Sequence, residues 1–119
     1  LDSPQLNMQI DATRTLGQLA YAPAYPKIAA MAKSERWELR AVVASALANF
    51  GVDENTDALI DLLCDREWWV RFRAAESLTQ SKHIKAVQNH VKKREDRYAQ
   101  EMLQFALDKQ ALRNRKGVA

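Results

Sequence analysis

The chain has 119 residues, 28% of them charged and 47% hydrophobic, with a net charge of +3, three Gly, three Pro and one Cys. That length holds one domain with a real core and is too short for two. The single Cys64 excludes an internal disulfide, no apolar run reaches membrane-spanning length, and the scarcity of Gly, Pro and β-branched runs predicts helix nearly everywhere.

Taken in chain order, Ser3 opens a first element over 5–19, in which Met8, Ala12 and Leu16 recur at helical spacing. The stretch "APAYPKIAAMAK" predicts a second helix over 23–33. Ser34 precedes a third over 35–50, and Gly51 after "LANF" ends it. A fourth helix, 54–64, runs through "NTDALIDLLC", with Asp53, Glu54 and Asp57 at its start, where negative charge is favourable. Asp65 precedes a fifth, 66–80. Ser81 can cap a sixth, 82–94, and Asp96 a seventh, 96–114. Ser3, Ser34, Asp65 and Asp96 are all good helix caps, with an oxygen to offer a free backbone N–H.

These elements repeat. A shift of 31 residues lays "SERWELRAVVASAL" over "DREWWVRFRAAESL". Trp37 meets Trp68, Leu39 meets Val70, Arg40 meets Arg71, Val43 and Ala44 meet Ala74 and Ala75, and Leu47 meets Leu78. The same shift brings Asp65 to Asp96, but Glu101 and Met102 then occupy the Val–Arg slots and Lys109 the Leu slot. The register of that copy is open by one residue. The expected architecture is all-α, a stack of antiparallel helix pairs repeated about three and a half times across residues 1–119. The paired alanines let a neighbouring helix approach closely.

The pattern Asp65, Val70, Arg71, Ala74, Ala75, Leu78, echoed by Ser34, Leu39, Arg40, Val43, Ala44, Leu47, resembles the HEAT-repeat family. The resemblance is to its short bacterial form, also seen in phycobilisome-lyase-like proteins. It implies a right-handed α-α superhelix, an α-solenoid whose second helices line the concave face. It also implies an Asp–Arg ladder between adjacent repeats, here Asp65, Arg71 and Arg40. A chromophore-handling role of the lyase-like kind is a further implication, but no Cys or Tyr constellation accompanies it.

Around the fifth helix, at about 100° per residue, Val70, Arg71, Ala74, Ala75 and Leu78 cluster on one side, with Trp68 at the edge of the cluster. Trp68 is therefore expected to be buried. Trp69, Phe72, Arg73 and Glu76 fall on the other side, which the resemblance makes concave. Val42 one repeat earlier, and Leu103 and Leu107 one repeat later, extend the strip. Exposed aromatics beside an arginine are the composition of a binding hot spot. The expected function is a scaffold or adaptor holding a protein or peptide partner on these residues.

The alternative is nucleic acid, held by the concave face and the basic C-terminal half as in HEAT-like DNA-binding or glycosylase-type proteins, with Glu76 near Trp69 the one carboxylate placed for glycosylase chemistry. Residues 1–60 carry a net −2 and residues 61–119 a net +5, with a basic cluster at Lys92, Lys93 and Arg94. His83 and His90 lie two turns apart, about 10 Å, too far to share a metal. Neither Glu35 with Glu38 nor Glu67 with Glu76 has a visible cause for a shifted proton affinity. No catalytic residue, metal or cofactor is expected. One unpaired cysteine and no signal segment suggest a cytoplasmic protein. The start "LDSPQ", without Met, suggests a piece of a longer polypeptide, whose other parts could carry a membrane anchor.

Overall fold

The computed structural model describes residues 3–117, with side chains as far as Arg115. Its helices are α1 Pro4–Gln18, α2 Tyr25–Ala30, α3 Trp37–Asn49, α4 Thr56–Leu63, α5 Trp68–Leu78, α6 Ile84–Lys93 and α7 Arg97–Gly117. Single 3-10 turns flank α2 and precede α4, and the described residues contain no strand. Helices α1, α3, α5 and α7 lie side by side in one layer. Helices α2, α4 and α6 form the layer behind: α2 packs on α3, α4 on α3 and α5, and α6 on α4 and α7. The fold is all-α, a solenoid-like stack. No helix among the described residues is long and apolar enough to cross a membrane.

Two of the four expected caps act differently. The Ser3 Oγ accepts the Leu6 N–H at 3.3 Å, and the Asp96 Oδ1 accepts the Ala99 N–H at 3.0 Å, both three residues on. Ser34 and Asp65 instead accept from Arg36 and Glu67, two residues on, at 3.1 and 2.9 Å. That local bond makes a turn rather than a cap. It delays α3 and α5 to Trp37 and Trp68. Ser81 behaves likewise, accepting the His83 N–H at 2.9 Å while donating to Asp53 at 2.6 Å.

The core sits between the layers. Leu47, Leu59, Leu63, Val70 and Leu78 are fully buried, as are Ala44, Ala74 and Ala75. The small residues bring α3 and α5 close enough for the Ser77 hydroxyl to donate to the Ala44 carbonyl at 2.7 Å. At the α1–α3 contact a Cβ on Gly17 would stand 2.7 Å from that of Ala46, so this crossing requires glycine. Gly51, at φ +119, ends α3 in a conformation that side chains rarely adopt. Ala75 has no exposed surface. Ala75→Leu should overpack the contact and cost about 1–3 kcal/mol, visible as a lower midpoint in a thermal melt.

The flanking helices depart from the 31-residue register. In α7 the buried residues are Ala99, Met102, Leu103 and Ala106. A shift of 32 from α5 reproduces this pattern, carrying Val70 to Met102, Arg71 to Leu103 and Ala74 to Ala106. The turn before α7 is built differently, with Glu95 at φ +57 and Asp96 capping directly, so α7 enters one residue out of phase. Leu103 is consequently a core residue, 2% exposed, and not part of an open strip. In α1 the inward residues are Leu6, Thr13 and Gly17. Met8 is 71% exposed and Ala12 is exposed, because α1 has only α3 beside it in the layer.

Candidate functional site

On the open side of the first layer, α1, α3 and α5 enclose a groove of about 550 Å³. Helix α1 contributes Ile10, Arg14 and Gln18, α3 contributes Glu38, Val42 and Asn49, and α5 contributes Trp69 and Arg73, with Trp37 at the start of α3. Three of the four helices of that layer thus present one face to the groove. The side-chain spacing of each helix decides which residues reach it.

Three aromatic residues gather on α5. The Trp68 and Phe72 rings stack at 5.1 Å with 8° between planes, and Trp69 stands edge-on to both, at 4.9 and 5.9 Å. The Arg73 guanidinium lies 5.9 Å from the Trp69 ring and 5.8 Å from Phe72, and its Nη1 meets Glu76 at 3.5 Å. Lys109 of α7 places its ammonium 5.3 Å from the Phe72 ring. Trp69 is 50% exposed and Phe72 half-buried.

Trp69, Phe72, Arg73 and Glu76 therefore share one helix face; Trp69 and Arg73 line the groove together with Val42, whereas Phe72 and Glu76 do not. Leu103 is in the core, and Leu107 is half-buried against it. Trp68, expected inside, is 46% exposed. It is the first residue of α5, at the rim of the stack, and finds Phe72 in place of a core contact. Sequence reasoning missed the α1 wall of the groove, and missed Phe105, which is 54% exposed. With α7 in its actual phase, Phe105 takes the place equivalent to Arg73.

Electrostatically the groove is mixed. Glu38 is held below the usual carboxylate range by its own backbone N–H, with burial opposing and Arg36 assisting. The basic run Lys92, Lys93 and Arg94 ends α6 in the other layer and does not line the groove, and Arg94 is paired with Asp61. Burial pushes the Cys64 thiol up, and the Asp96 carboxylate adds to the effect. That is the behaviour of a packing residue rather than a reactive one. His83 and His90 belong to no metal-holding group among the described residues.

Two arginines mark the joints of the stack. Arg40 holds both oxygens of Asp65, Nε to Oδ2 at 2.8 Å and Nη2 to Oδ1 at 3.1 Å, while its Nη1 donates to the Ser34 carbonyl at 2.8 Å. The hydrogen bonds to Asp65 keep the Arg40 proton more firmly than in a free guanidinium. Arg71 donates from Nη1 to the Asp65 carbonyl at 2.9 Å, and its guanidinium lies 6.0 Å from the Tyr98 ring.

A two-layer stack of consecutive helix pairs with a groove along one layer is an α-solenoid, a class in which each repeat contacts its neighbours and the layers offer extended surfaces. The family model for HEAT repeats matches residues 25–108, from the start of α2 into α7, and the chain belongs to the HEAT-repeat family. No curated protein and no solved structure matches it. HEAT repeats commonly serve as protein-interaction scaffolds and are typically non-enzymatic.

Proposed function

We propose that this chain is a protein-interaction module whose α1–α3–α5 groove holds a peptide or helix of a partner protein. The observation that supports it is Trp69, half exposed at the groove wall with Arg73 over its ring. An aromatic residue standing in solvent beside a guanidinium gains most by being covered. Phe72 extends the anchor toward Lys109 of α7, Val42 supplies apolar surface within the groove, and Arg73 with Glu76 sets the polar register. The module acts by binding rather than by catalysis, as a scaffold or adaptor. A cytoplasmic setting suits its single unpaired cysteine.

Nucleic acid is the second reading, favoured by cations that stand over aromatic rings at Arg73 and Lys109. It is disfavoured by Glu38 and Glu76 in the same neighbourhood, and by the remote basic run on α6.

A photo-crosslinking residue at Ser45, an exposed position lining the groove, would trap the partner for identification. Binding of the purified partner should then fall by about 2 kcal/mol or more, roughly thirtyfold, in Trp69→Ala/Phe72→Ala. The circular dichroism spectrum should stay that of the parent. Unchanged affinity in the folded double variant would refute the groove as the site. Binding that instead collapses with added salt, and with neutralisation of Lys92, Lys93 and Arg94, would favour nucleic acid.

A further inference from the structure

We propose that the outer face of α1 is an interface between two copies of this chain, paired antiparallel about a two-fold axis. Around α1, at about 100° per residue, Leu6, Thr13 and Gly17 turn inward, while Ile10, Arg14 and Gln18 turn to the groove. Opposite the buried side lie Met8, Ala12, Thr15 and the C-cap Leu19. All four are exposed, Met8 and Leu19 to 71% each. None is charged, and the charged residues of α1, Asp11 and Arg14, pair with each other at 3.1 Å. The 31-residue register shows what such a face does elsewhere in the stack. The counterparts of Met8, Ala12 and Thr15 on α3 are Leu39, Val43 and Ala46, all buried, with Ala46 directly against Gly17 of α1. On α1 the same positions have no helix over them.

The order of sizes along the stripe selects the occupant. Met8 and Leu19 are large and stand at its ends, and Ala12 and Thr15 are small and stand in its middle. Reversed end for end, the order is the same. A second α1 laid antiparallel therefore sets Met8 against Leu19 and Ala12 against Thr15 on both sides of the axis. The small pair falls where the helices come closest, as Gly17 and Ala46 do at the crossing of α1 and α3. No like charges meet along the stripe. The other end of the stack offers no such surface. Helix α7 turns Gln100, Gln104 and Asn114 away from α5, and the first two line an amide-rich cleft with Gln88 and Asn89 of α6. A polar outer face is how a helical array ends. Head-to-tail stacking would bury those amides against Met8 and Leu19 without partners, so the copies meet α1 to α1. A two-fold axis between antiparallel neighbours of one layer stands perpendicular to that layer, so the two grooves open to the same side. The inference does not depend on what the groove binds.

Sedimentation equilibrium tests it. One helix of 15 residues, about 22 Å long, is a small interface, which places the pair among weak, reversible dimers. The chain should pass from monomer to dimer between about 5 and 500 µM. Thr15→Arg brings two like charges together near the axis and should raise the dissociation constant at least about tenfold. Its thermal midpoint should match the parent, since Thr15 is exposed in the monomer. Two further variants read the direction of pairing. A Met8→Lys chain mixed with a Leu19→Glu chain should form the mixed dimer about fivefold more tightly than either forms its own, because antiparallel pairing sets those positions opposite each other. A chain that stays monomeric at about 500 µM overturns the proposal, and gives the face to a helix of another protein or of a longer polypeptide. A dimer that Thr15→Arg leaves intact, or a mixture without preference, overturns it equally.

Discussion

Asp65→Ala should lower stability by about 3–5 kcal/mol, the cost of leaving one partner of a buried ion pair alone. The side chains of Arg40 and Asp65 are only 7% and 12% exposed, so water cannot replace the lost carboxylate. The substitution also removes the oxygen that fixes the turn to Glu67, which on its own would cost about 1 kcal/mol. The readout is the midpoint of urea unfolding, with the m-value checked for constancy. Asp65→Asn should fall between, since an amide still accepts from Glu67 but cannot neutralise Arg40. The double variant Arg40→Leu/Asp65→Leu should recover much of the loss, because an apolar pair leaves no buried charge. If Asp65→Ala costs no more than about 1 kcal/mol, the pair is only a turn contact.

The second large effect is a contrast between a smaller and a larger side chain. Leu78 is fully buried, and Leu78→Ala should cost about 2–5 kcal/mol through lost transfer energy and the cavity left behind. Trp68→Ala removes more atoms, and would cost about 3–5 kcal/mol if the indole were in the core. At 46% exposure it should instead cost about 1 kcal/mol, mostly the stack on Phe72. Equal losses from the two substitutions in a chemical melt would place Trp68 inside.

That contrast shows what could be read from the residues in advance. The spacing of Val70, Ala74, Ala75 and Leu78 identifies a helix and its inner side, because the period belongs to the helix itself. The same period puts Trp68 at the margin of that side. Its exposure is decided by its being the first residue of α5, a boundary set by how Asp65 bonds two residues ahead. The phase of α7 was lost for a similar reason. Aligning Asp96 with Asp65 imposes 31 residues, while Met102, Leu103 and Ala106 pack as though the interval were 32. For the groove, Trp69, Phe72 and Arg73 are legible together because a single helix carries them. Ile10, Arg14 and Gln18 reach it only through the close crossing at Gly17, which no local pattern announces.

The long-range hydrogen bonds of the stack have a mechanical consequence. Tyr25 reaches Asn55, Arg40 reaches Asp65, Asp53 ties Ser81 and the Lys82 N–H, and Gln110 reaches the Thr79 carbonyl, separations of 25 to 31 residues. Each tie spans about one repeat, and none of these joins the two ends of the chain. Tension applied at the termini would therefore load the ties one after another, as links in a chain, rather than all at once as in a sheet pulled in shear. Such a molecule should therefore lengthen by releasing one helix pair at a time.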